Sequence, residues 1–188
     1  SKLDYENSRK ISYIHRIFNQ LFYGPKLYEE IFNEKSQFSE NPLIDLDNIV
    51  LDNNLMSKLK TRFGSKVATV TGRGKFAFSY SMKNFLDDFD MENSVFLEDR
   101  PLNLAKPNPE SLIESISKIN SKCSLYVGDS MEDLLMVKKC QEKGYDVSFC
   151  GIYGSSDEPK LKYELFQKNK ASFILESIQE LPKALNLV

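Results

Sequence analysis

Apolar and polar residues alternate in two different rhythms along this chain. In the first part Ile11, Ile14, Phe18, Leu21 and Phe22 recur at helical spacing, and Gly24-Pro25 breaks the stripe. A second stripe follows, with Leu27, Ile31 and Phe32 on one face. Residues 7 to 35 are therefore expected to be helical, and 35 to 43 to be a polar loop ending in Asn41-Pro42. No strand pattern alternates with these helices, which predicts a small helical lobe.

From residue 43 the rhythm becomes strand-helix alternation. A helix is expected at 53 to 62 (Leu55, Met56, Leu59), stopped by Gly64. A strand follows at 66 to 70, a helix at 74 to 87 and a strand at 94 to 98. Asn108-Pro109 sets a cap and a first-turn proline before a helix that turns Leu112, Ile113 and Ile116 inward. The pattern continues with strand 123 to 127, helix 131 to 142 halted near Gly144, and strand 146 to 152. A helix, a strand at 172 to 175 and a last helix close it. Repeated β-α units of this length predict an α/β fold with a mostly parallel sheet covered on both faces.

Composition narrows the function classes. At 188 residues the chain suits one medium domain, or a core with a small lobe. The net charge is −2 and Lys and Arg are interspersed with Asp and Glu, so no basic field offers itself to nucleic acid. No apolar run approaches roughly 18 residues, and no membrane partner is expected. Ser1 to Lys10 are polar and charged, and no secretory leader is read there. Cys123, Cys140 and Cys150 show no Cys-x-x-Cys spacing; Cys123 and Cys150 fall in strand-like apolar runs and are expected to be buried, reduced thiols. The expected compartment is the cytoplasm. His15 is the single histidine, on the helical lobe between apolar residues, which excludes a histidine-rich metal site and favours a structural role.

Three segments carry candidate chemistry: Val67 to Arg73, Lys106 to Pro109, and Leu125 to Asp133. Each falls at or after the carboxyl end of an expected strand, where open parallel sheets bind ligands. Thr71 ends an apolar strand and can donate its hydroxyl to a phosphoryl oxygen, and Gly72 lets backbone amides come close to a phosphate. Lys106 precedes a proline, which keeps its backbone out of helix and lets the amine project from a loop to offset phosphoryl charge. Asp129 and Asp133 lie four apart at a strand-to-helix junction, with Glu132 beside them and no cation adjacent in sequence. Such a concentration of carboxylate suits a hard cation such as Mg²⁺; acidic capping of the helix is the plainer reading of the same residues. Glu98-Asp99-Arg100 also follows a strand end and borders the same region, without an assignable role.

The order and surroundings of these segments resemble motifs II, III and IV of the haloacid dehalogenase-like (HAD) phosphohydrolases, over most of the chain. The resemblance makes Thr71 the motif II hydroxyl, Lys106 the motif III lysine, and Asp129 and Asp133 the motif IV acids that hold Mg²⁺. It implies a three-layer Rossmann-like core at 43 to 188 and a helical cap at 1 to 42. It also implies hydrolysis of a small phosphate monoester through an aspartyl-phosphate. The family's motif I, an Asp-x-Asp after an apolar strand, supplies the nucleophile and the acid that protonates the leaving group.

That motif is not in its expected place. Asp45-Leu46-Asp47 is the single Asp-x-Asp of the chain, but its apolar lead-in is too short for a central buried strand and no glycine turn follows. The expectation is that the chain begins inside the cap, and that the motif I strand, lying centrally in the family's sheet, is missing from these residues. Its absence should leave a gap between neighbouring strands, with unpaired backbone groups. Two other readings stand beside the phosphatase. One is a phosphate-binding or regulatory module without a nucleophile; the other is a related enzyme such as a phosphomutase or dehalogenase, the latter disfavoured by the acid pair. Substrate identity and oligomeric state are not legible in the sequence.

Overall fold

The computed structural model describes residues 13–187. It is a mixed α/β structure whose order among those residues is α1 (Tyr13–Phe32), α2 (Asn53–Phe63), β1 (Val70–Thr71), α3 (Lys75–Ser81), β2 (Val95–Phe96), α4 (Glu110–Lys118), β3 (Ser124–Gly128), α5 (Met131–Glu142), β4 (Val147–Ile152), α6 (Pro159–Lys168), β5 (Phe173–Leu175) and α7 (Leu181–Ala184). The expected helix over 7 to 12, and the same part of the lobe at 1 to 42, lie outside the described residues.

All strand pairings are parallel, but the strands form two sheets. β1 pairs with β2 in one, and β3, β4 and β5 follow in order in the other. Among the described residues no backbone hydrogen bond joins β1 to β3, so each has an edge without a strand partner. The two sheets nevertheless share their packing. Val70, Val95, Val147 and Phe149 contribute to one apolar cluster with Leu112 and Ile116 of α4 and Leu134 and Val137 of α5. Leu125, Val127, Cys150 and Ile152 face a second cluster with Leu55, Met56 and Leu59 of α2 and Leu181 of α7. Along β4 the alternation of period two is direct: Val147 and Phe149 enter the first cluster, Cys150 and Ile152 the second.

The helical stripe read at the start of the chain bends where glycine and proline interrupt it. Gly24 has φ 67° inside α1, a left-handed conformation that suits glycine. A Cβ there would also stand 3.0 Å from the Pro42 side chain, so Gly24 fixes where the following loop folds back. Tyr23 and Tyr28 of α1 bury themselves with Ile44 and Ala77 in a third apolar cluster. The lobe thus leans on the turn at Leu43–Leu46 and on α3, and its packing runs past residue 42.

Three local expectations need adjustment. Of the 66 to 70 run only Val70, with Thr71 after it, forms a ladder with β2, although Val67 and Thr69 carbonyls still accept from Asp90 and Val95 amides. The helix expected to reach 87 ends at Ser81, and Leu86–Asp88 forms a separate 3-10 turn. Cys123 is exposed while Cys140 and Cys150 are buried, because Cys123 lies in the turn before β3 and not within it.

Candidate functional site

The site is assembled at the carboxyl ends of β1 and β3. Gly128 ends β3 and Ser130 caps α5, its Oγ accepting from the Asp133 amide at 3.1 Å. In return Asp133 Oδ2 accepts from the Ser130 amide at 3.1 Å and the Ser130 hydroxyl at 2.8 Å, a reciprocal capping box. Gly128 is required by close approach: a Cβ on it would lie 2.7 Å from the Asp133 carboxyl carbon. Sequence thereby folds Asp133 back over the end of β3.

The other Asp133 oxygen is committed as well. Oδ1 accepts from Lys106 Nζ at 2.7 Å and lies 3.1 Å from the Tyr126 hydroxyl. The pair is secluded, with side-chain exposures of 16% for Lys106 and 5% for Asp133. Burial alone would raise the Asp133 carboxyl, but the Lys106 ammonium and the Ser130 donors outweigh it and hold it below the usual carboxylate range. Lys106 also donates to the Tyr126 hydroxyl at 2.8 Å, and that hydroxyl lies 2.8 Å from the Val70 carbonyl oxygen. The lysine, the buried carboxylate and the end of β1 are therefore joined in one chain of contacts.

Thr71 follows Val70 directly and is half-buried. Its Oγ1 accepts from the Arg73 amide at 3.3 Å, and among the described residues no acceptor takes its hydroxyl proton. Gly72 is exposed, with open space where a Cβ would stand. The next two amides are already used: Gly74 donates to Glu98 at 2.8 Å and Lys75 to Asp99 at 2.8 Å. This is what Glu98-Asp99 does, a role the sequence reading did not find. It ties the loop after β2 to the loop after β1, while Arg100 pairs with Glu114 at 3.0 Å. Glu98 also lies 3.6 Å from His15 of α1, which links the lobe to the same loop.

Asp129 stands apart from this cluster. Its side chain is 64% exposed and its nearest cation is Lys162 of α6, at 4.0 Å. It lines an open depression of about 350 Å³ together with Ser130, Met131, Leu161 and Lys162. Its charge is still felt at Tyr126, whose phenol is pushed up first by burial, then by Asp133, and last by Asp129.

The Asp45-Leu46-Asp47 segment is not on a strand. It occupies a 3-10 turn at Leu43–Leu46 and its exit. Asp47 accepts from both terminal Arg73 guanidinium nitrogens and from the Ser81 hydroxyl, and hydrogen bonding from Arg73 chiefly lowers its pKa. Asp45 accepts from the Tyr80 hydroxyl at 2.8 Å. Both carboxylates are in structural use between the lobe and α3.

The donor set suits Mg²⁺ only in part. Among the described residues no group of three or more His, Cys, Asp or Glu side chains could hold a metal ion. Magnesium often takes one or two protein carboxylates and completes its shell with water and substrate phosphate. Asp129 fits that role as an open carboxylate. Asp133 is fully engaged by Lys106, Tyr126 and Ser130, and becomes a ligand only if Lys106 leaves it. Compared with known proteins, the chain matches no family model, no curated sequence and no solved structure. Among the described residues no helix is long and apolar enough to cross a membrane.

Proposed function

We propose that these residues form most of a cytoplasmic, Mg²⁺-dependent phosphohydrolase of the HAD type, acting on a small phosphate monoester. Residues 43 to 188 would be its three-layer Rossmann-like core and 1 to 42 its helical cap. The observation that carries this reading is the tie of Lys106 and Asp133, through the Tyr126 hydroxyl, to the Val70 carbonyl at the end of β1, one residue before Thr71. Such a lysine offsets charge that develops on a phosphoryl group, and the hydroxyl donates to one of its oxygens. Asp133 holds the lysine in place. Mg²⁺, when bound at Asp129, would neutralise phosphate charge.

The nucleophile belongs to a segment outside these residues. A carboxylate oxygen would attack phosphorus while the ester P–O bond breaks, a second acid giving the departing alkoxide its proton. Water would then cleave the acyl phosphate, releasing inorganic phosphate and restoring the carboxylate. The unpartnered edges of β1 and β3 support this, since a parallel strand set against either would end at the Lys106 cluster. The commitment of Asp45 and Asp47 to Tyr80 and Arg73 favours a second reading, a phosphate-binding module without a nucleophile.

The test is hydrolysis of an aryl phosphate by the protein that includes such a strand. Activity should require Mg²⁺, and Lys106→Ala should lower the rate about 10²-fold or more, as for loss of one preorganised charge-stabilising donor. Phosphate binding without turnover would favour the module.

A further inference from the structure

Tyr126 lies within the Leu125 to Asp133 segment without a role read from the sequence, yet its phenol is the centre of the cluster around Lys106 and Asp133. The hydroxyl accepts from Lys106 Nζ at 2.8 Å and lies 2.8 Å from the Val70 carbonyl oxygen and 3.1 Å from Asp133 Oδ1. The ammonium also stands 5.5 Å from the centre of the Tyr126 ring. A phenol has one proton and a lone pair to offer, whereas an ammonium has only protons and a carbonyl or carboxylate oxygen only lone pairs. The Tyr126 proton must therefore go to Val70 or to Asp133, and in either case its lone pair faces Lys106. The arrangement survives a change of acceptor.

A lysine tethered by one carboxylate can still swing on its four-carbon stem. A second acceptor, 3.1 Å from the first, narrows that freedom. With one proton given to Asp133 and one to Tyr126, the Lys106 ammonium has its third left for a ligand. We propose that Tyr126 is a positioning residue for Lys106, fixing its ammonium beside Asp133 with one N–H left for a ligand. The inference rests on the reading that Lys106 serves a phosphoryl group.

The experiment is Tyr126→Phe in the 188-residue chain, which keeps the ring and its packing and removes only the hydroxyl. The Lys106 ammonium signal in ¹H–¹⁵N spectra, assigned by its loss in Lys106→Arg, reports the hydrogen bond directly. Its protons should exchange with water about 3- to 10-fold faster in Tyr126→Phe, the range of one hydrogen bond, while the backbone amide spectrum keeps its native dispersion. Inorganic phosphate should bind more weakly by a similar factor. Unchanged exchange in a folded Tyr126→Phe protein would overturn the proposal. If phosphate leaves the wild-type Lys106 signal unmoved, the phosphoryl reading fails, and the exchange comparison still decides the positioning. Should Tyr126→Phe not fold, wild-type cross-relaxation between the Tyr126 ring protons and the Lys106 ε protons decides it. Its presence, with a Tyr126 hydroxyl signal that shifts in Lys106→Arg, supports the contact; its absence refutes it.

Discussion

A half-buried lysine and a buried aspartate stabilise a fold only as long as each keeps the other. Lys106 and Asp133 gain little net energy over an apolar pair of the same volume, but removing one strands the other in a low-dielectric site. Asp133→Asn should cost about 3 kcal/mol by that mechanism, measured by urea unfolding. The pH dependence follows from the depressed Asp133 pKa. A carboxylate held lower in the folded chain than in the unfolded one contributes stability that is complete above about pH 4, its unfolded value. That contribution disappears as the pH falls through the lower folded value. The stability gap between wild type and Asp133→Asn should be level above about pH 5 and close below about pH 4. A gap that widened on acidification would mean that Asp133 is not the charged partner described above.

At the scale of single elements, the end of β3 sets the site. Gly128→Ala would press a methyl group against the Asp133 carboxyl, and overpacking of this kind costs about 1–3 kcal/mol. The expected result is a lower melting temperature together with a displaced Lys106, seen as a changed Lys106 ammonium signal. Much of this region was legible in the sequence. The helix over Met131–Glu142 was legible with its stop near Gly144, whereas its Ser130 cap was not read. The Gly128-Asp129 pair and Lys106-Pro107 marked the loops that matter. The partners were not legible. Nothing in the spacing of Lys106 and Asp133, 27 residues apart, says that the lysine meets the second acid of its motif and leaves Asp129 open. Tyr126 reads as an ordinary strand aromatic, and its role appears only when β1 and β3 are brought together. Glu98-Asp99 likewise gains a function only from the amides of Gly74 and Lys75. Local pattern determines elements, whereas these contacts are set by how the elements are stacked.

For the molecule as a whole, the central feature is a parallel α/β layer in two pieces that share their apolar clusters. A strand pairing with both free edges would have to displace the Tyr126 contact to Val70. Metal binding bears on the same proposal. Mg²⁺ should bind the 188-residue chain weakly, and Asp129→Ala should abolish that binding in calorimetry; equal affinity in the variant would remove Asp129 from the site. With a strand bearing Asp-x-Asp in place, affinity should rise as its carboxylates join the shell.

The most direct measurement compares Mg²⁺-dependent hydrolysis of an aryl phosphate by three proteins: the 188-residue chain, its Asp45→Asn variant, and the chain joined to a strand that ends in Asp-x-Asp. Turnover is expected in the joined protein alone, because neither Thr71 nor Lys106 can form an acyl phosphate. Full activity in the 188-residue chain, lost on Asp45→Asn, would contradict this and make Asp45 the nucleophile.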